Sequence, residues 1–344
     1  MQYNESKHMN VIKEAEFEPK WFVVLTFMLV GVFTGVLGSF IWFFNGGVFE
    51  LQKIHPGHSK YHFINPLLAV DLIDKKEFLA SKPLESKINA VLSNMLSTKN
   101  IVQGSVYFRD LEKGRWFGIN EEYKFSPGIL LKVPLAMAYF KFAESEPSSL
   151  QAELKYIGSD SQNGDQITVR TGQRYSVDNL IKSMLIDNND QAAETLFDNI
   201  NLDALNEVYS DIGINLKEDK VGDDFINTKQ FALIFRILHN ATYLSREYSE
   251  KMLEILSHAD LTADSLTSEL PNDIKASHRF RMRVINNGKK TIFEGYSCGI
   301  IYYPGHPYIL CAMALANKAE TINELFRTIS KTVYADTAEQ YPSN

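Results

Sequence analysis

The chain has 344 residues, is 45% hydrophobic and 12% aromatic, and carries a formal net charge of −7. That much apolar material supports one domain of about 250 residues plus an appendage and excludes disorder over most of the length. The acidic balance argues against a nucleic-acid surface, which needs a dominant basic patch, and no Cys/His spacing suits zinc and no glycine-rich loop suits a phosphate. Neither a metal, a cofactor nor a nucleic-acid partner is expected.

Residues 21–44 hold no charged side chain, are rich in Phe, Val and Leu, and end in Trp42-Phe43-Phe44. Such a run is long enough to span a bilayer once, longer than a signal-peptide core, and is followed by no small-x-small cleavage site. Lys7, Lys13 and Lys20 precede it and Lys53 and Lys60 follow it, a slight bias toward a cytoplasmic N-terminus. Gly31 and Gly35 form a Gly-x-x-x-Gly that suits helix pairing, although glycine is frequent in membrane helices without it. The expected organisation is a cytoplasmic tail (1–20), a transmembrane helix (21–44), a tether that docks in part (45–83) and a folded domain (84–335).

Leu84, Ile88, Val91, Leu92, Met95 and Leu96 recur at helical spacing and give an amphipathic first helix. Residues 104–110 and 115–119, joined by Glu112-Lys113-Gly114, read as a β-hairpin. Next comes Phe125-Ser126-Pro127-Gly128-Ile129-Leu130-Leu131-Lys132-Val133-Pro134, in which Ser126 suits an N-cap, Pro127 the first helical position, and the apolar run to Ala138 a buried helix.

This segment, with Tyr107-Phe108-Arg109-Asp110-Leu111 before it, resembles the class A β-lactamase-like and penicillin-binding serine hydrolases. In that family the helix opens with Ser-x-x-Lys, the Ser acting as nucleophile and the Lys lying one turn on. The resemblance puts Lys132 at the Lys and Ile129 at the nucleophile, and an alkyl chain has no lone pair with which to attack a carbonyl. It also implies an extracytoplasmic α+β domain, an antiparallel sheet flanked by helices with a helical subdomain.

A further helix is expected after Ser176, with Leu180, Ile181, Met184 and Leu185 on one face. It runs into Asp187-Asn188-Asn189-Asp190-Gln191-Ala192-Ala193. The family's Ser-Asp-Asn triplet would fall on Asn188, Asn189 and Asp190, or one residue earlier, and in neither register is there a Ser to relay a proton. The bland reading of the same residues is an Asn-rich cap and loop.

Residues 228–240 and 245–256 carry two helical patterns, the first apolar on most sides. Asp223 and Asp224 stand upstream, either as the family's loop acid or as loop caps. His278-Arg279-Phe280-Arg281-Met282-Arg283-Val284 alternates as a half-buried strand with three arginines on one face. The family's Lys-x-Gly on this strand would read Arg279 and Arg281, which keeps positive charge for a carboxylate and loses the clearance that Gly gives a substrate backbone. A solvated Arg face is the plain alternative.

Residues 296–303 and 308–315 form a second hairpin, and Ile322, Leu325, Phe326, Ile329 and Val333 mark a closing amphipathic helix. Cys298 and Cys311 read as buried thiols, with a cross-strand disulfide open outside the cytoplasm because the sequence does not fix the register. All three motifs are altered, which points to a membrane-anchored pseudoenzyme that binds or scaffolds at the cell envelope. Lys132, Asn188, Asp190, Arg279 and Arg281 are its candidate ligand residues, and a peptidoglycan peptide or a protein its candidate partner. The alternative is an active β-lactamase or D,D-peptidase acting on β-lactams or stem peptides, for which Ser126 would have to replace Ile129.

Overall fold

The computed structural model describes residues 62–65, 82–98, 101–126, 131–158, 169–214, 226–259, 266–286 and 290–342. The chain divides into two compact units, residues 1–57 and 58–344, and every described residue belongs to the second. The expected tail, the transmembrane helix and most of the tether therefore lie outside the described residues. Among the described residues no helix is long and apolar enough to cross a membrane.

The centre is a five-stranded antiparallel sheet built from β1 (Ile101–Asp110), β2 (Trp116–Ile119), β7 (Ala276–Asn286), β8 (Thr291–Ile301) and β9 (Tyr308–Ala316), in the order β2-β1-β9-β8-β7. Both faces are covered, which is why the central strand β9 is an almost unbroken apolar run instead of an alternating one. Its Tyr308, Leu310, Ala312 and Ala314 face a core built with α1 (Lys82–Ser97) and α8 (Ala319–Gln340). Ile309, Cys311 and Met313 face the core of the helical subdomain. In α1, Leu84, Ile88, Leu92 and Met95 fall on one stripe and are buried, as their spacing requires.

The subdomain holds α2 (Lys132–Ala143), α3 (Val177–Ile186), α4 (Asp190–Asn199), α5 (Leu202–Asp211), α6 (Thr228–His239) and α7 (Arg246–Ser257). Short ladders join β3 (Lys124–Phe125) to β6 (Ile226–Asn227) and β4 (Glu153–Lys155) to β5 (Arg174–Ser176). Ser176 caps α3 as expected, its side chain accepting from the Asn179 N–H, and Asn227 forms a capping box with Gln230 on α6.

Two expectations are corrected. The described helix α2 begins at Lys132 behind Leu131 and has no side-chain cap, so Ser126 does not cap it. The cysteines are also not free thiols. The β8–β9 register sets Cys298 directly opposite Cys311, and the two are joined as a disulfide inside the subdomain core.

Part of the tether docks. The Phe63 and Ile64 N–H groups donate to the Glu250 carboxylate at 2.8 and 2.9 Å, and the Asn65 N–H donates to the His239 carbonyl at 2.7 Å. Phe63 and Ile64 are buried, and the Phe63 ring meets Tyr302 edge-on at 5.4 Å.

Phe326 of α8 is fully buried and lies edge-on to Phe280 of β7, while Phe142 of α2 is 59% exposed. Phe326→Ala should cost about 3–5 kcal/mol in urea unfolding, from lost transfer and a residual cavity. Phe142→Ala should stay within about 0.5 kcal/mol of wild type. Equal effects of the two would contradict this placement of the core.

Candidate active-site cleft

Lys132 stands at the first position of α2 and is buried. Its Nζ lies 2.6 Å from Asp190 Oδ1, 3.0 Å from the Asn188 carbonyl and 3.3 Å from the Asn189 carbonyl. An ammonium has three protons, and three acceptors take them. The acceptors converge because α3 stops at Ile186 and the chain reverses through Asn188, whose φ of 58° is a left-handed conformation that Asn tolerates. Asn189 then caps α4, accepting from the Ala192 N–H at 2.8 Å, and Asp190 becomes the first residue of that helix, where the axial dipole favours a carboxylate. The segment is a cap and loop, and it faces Lys132.

On β7, Arg279, Arg281 and Arg283 share one face at every second position. Arg279 is 3% exposed, so the solvated alternative fails for it. Its guanidinium donates to the Leu185 carbonyl at the end of α3 and to Asn188 Oδ1, the latter at 2.5 Å. Arg281 reaches both Asp190 oxygens at 3.4 and 3.5 Å. Arg283 pairs with Glu294 of β8 at 2.5 Å, and that buried carboxylate also accepts from the Ser126 N–H at 3.4 Å. The structure thus brings Lys132, Asn188, Asp190, Arg279 and Arg281 together. Ile129, Asp223 and Asp224 lie outside the described residues.

Burial pulls the Lys132 amine down to about 8, against the opposing pull of Asp190. Burial alone would raise Asp190, but the hydrogen bond and charge of Lys132, helped by Arg281, hold it below the usual carboxylate range. Arg279 is lowered to about 10 by burial and then by the charge of Arg281, and it remains a cation at neutral pH. Tyr296, near Glu294, is pushed up first by burial and then by that carboxylate, so its hydroxyl stays protonated.

A cleft of about 430 Å³ opens beside these groups, walled by Leu131, Leu135, Phe197 and Tyr209, with Lys132, Asp190, Arg281 and Arg283 among its lining. Glu294 and Phe197 were missed in the sequence. Glu294 had one signal, an acid inside an otherwise apolar strand, but its pairing with Arg283 follows only from the β7–β8 register. Among the described residues no group of three or more His, Cys, Asp or Glu side chains could hold a metal.

An antiparallel sheet between a terminal helix pair and a helical subdomain, with a Lys-bearing buried helix facing a cationic edge strand, defines the serine β-lactamase and penicillin-binding class. The chain belongs to the β-lactamase enzyme family, whose model matches residues 83–337. It is similar in fold to a β-lactamase from Sphaerobacter thermophilus DSM 20745, at 16% identity, a TM-score of 0.63, and coverage of 75% of this chain and 99% of that one. A structure of PBP-A aligns at 17% identity and a TM-score of 0.60 over 76% of this chain and 98% of that one. A β-lactamase from Chitinophaga pinensis DSM 2588 aligns at 16% identity and a TM-score of 0.63 over 74% and 99%. A search of the curated proteins finds no match.

Lys132 should titrate near 8, read from its side-chain carbon shifts, and Asp190→Asn should lower that value because the partner favouring the charged form is gone. The folded pKa lies below the unfolded one, so the unfolded chain binds more protons between about 8 and 10.5 and stability should rise with pH there. Lys132→Met should flatten that rise, and an unchanged slope would contradict the assignment.

Proposed function

We propose that this chain is a membrane-anchored, extracytoplasmic β-lactamase-like domain that has lost serine acylation and acts by binding or scaffolding at the cell envelope. The observation that carries the reading is Ile129, three residues before Lys132, where the family's helix has its nucleophilic Ser. The surrounding geometry supports it. For Lys132 to act as a general base it would have to shed a proton and release one of three acceptors, Asp190 among them. Arg279 is spent on a backbone carbonyl and Asn188, and Arg281 faces the Asp190 carboxylate. An incoming carboxylate therefore meets cations that Asp190 and Asn188 already engage.

Relocation of the chemistry to Ser126 is disfavoured, because Ser126 is 6% exposed, its N–H donates to the buried Glu294 carboxylate, and its side chain is not among the groups that hold Lys132. The anchor rests on the uncharged run at residues 21–44, and the extracytoplasmic side on the family resemblance.

Incubation of the purified chain with a fluorescent penicillin should leave no adduct after denaturation, and β-lactam hydrolysis should stay at background. A covalent label mapped to any Ser would overturn the proposal. Ile129→Ser alone should not restore turnover, since Asn188, Arg279 and Arg281 remain and such groups act as a unit. Turnover in that single variant would show the other changes to be tolerated.

A further inference from the structure

A second concavity, of about 330 Å³, shares no lining residue with the cleft. It lies between the outer part of β1, the β3–β6 ladder and one flank of α6, and Arg109, Lys124, Lys229 and Arg236 line it with a single carboxylate, Glu122. Among the described residues of the lining that is four cations against one acid, in a chain whose net charge is −7.

The one acid is committed. Glu122 Oε1 lies 2.8 Å from Lys229 Nζ, and its other oxygen accepts from Asn227 Nδ2 at 2.9 Å. Among the described residues neither guanidinium, of Arg109 nor of Arg236, makes an ion pair or a hydrogen bond, although both are half-buried. Arg109 is held by the β1 ladders to β2 and β9, and Arg236 by the last turn of α6, so the fold and not side-chain flexibility sets them around the same space. Like charges collected in a partly desolvated recess repel, and a bound anion offsets that repulsion. A carboxylate's two oxygens would satisfy only one of the two guanidinium forks. A phosphoryl group offers three oxygens to the two planar guanidinium forks, and it fits the volume with a small organic remainder.

We infer that this recess is an anion site for a phosphoryl-bearing ligand, distinct from the β-lactamase-like cleft and independent of whether that cleft is active. The phosphoryl group belongs either to a soluble phosphate ester or to the headgroup of an anionic lipid, and the two are separated by experiment. Calorimetric titration of the full chain with inorganic pyrophosphate at low ionic strength should show saturable binding that weakens as salt is added. The double variant Arg109→Ala/Arg236→Ala should weaken it by at least about tenfold, since two charged forks are lost. Glu122→Gln should tighten it, a change of opposite sign that misfolding does not mimic, and thermal unfolding of each variant checks the fold.

In a parallel arm the same proteins are sedimented with phosphatidylglycerol and with phosphatidylcholine vesicles. A loss confined to phosphatidylglycerol in the double variant, without pyrophosphate binding, assigns the lipid headgroup. Pyrophosphate binding with unchanged sedimentation assigns the soluble ester. Wild type and double variant that behave alike toward both probes would overturn the site.

Discussion

The contact on which the rest of the cleft depends is the burial of the Lys132 ammonium against Asp190 and the Asn188 and Asn189 carbonyls. A lysine at this depth without acceptors would sit as an uncompensated charge, and three acceptors from one turn compensate it while locking α2 to the α3–α4 junction. The left-handed Asn188 and the Asn189 cap are the local means by which that turn presents two carbonyls and a carboxylate together. Asp190 is two-thirds exposed on its outer side, so its pairing with Lys132 fixes geometry more than it adds stability.

Arg279 applies the same logic from the sheet. Its guanidinium ends α3 by donating to the Leu185 carbonyl, one of the groups a helix C-terminus leaves without a partner, and it holds the Asn188 side chain. Helical subdomain and edge strand are thus tied across the cleft by the Arg279 and Arg281 side chains. A third pair, Arg283 with the buried Glu294, extends the tie along β7 and reaches the Ser126 backbone. The cleft keeps the family's shape and positive charge, but each cation is engaged by a group of the chain itself.

How much of this the sequence made legible differs by element. Period and caps located the α1 stripe, the Ser176 cap, both hairpins and the closing helix, because each is a local pattern. Helix α5 went unread: its buried Leu205, Val208 and Tyr209 make a short stripe within an acidic stretch. The described part of α2 begins at Lys132, past the Ser126-Pro127 that reads as a helix opening. The cysteine pairing and the Glu294–Arg283 contact depend on strand register, which local patterns do not encode. Arg279 and Arg281 were legible as cleft residues only through the family resemblance, and the burial of one and half-burial of the other only through the fold.

The cations of the cleft are already taken by groups of the chain itself. The most direct measurement follows the Arg279 and Arg281 Nε resonances while the full chain is titrated with a stem peptide ending in D-alanine. Cations engaged by Asp190 and Asn188 predict no shift up to millimolar peptide. A saturable, salt-sensitive shift that disappears in Arg279→Ala would contradict it and show that a ligand carboxylate displaces the internal partners.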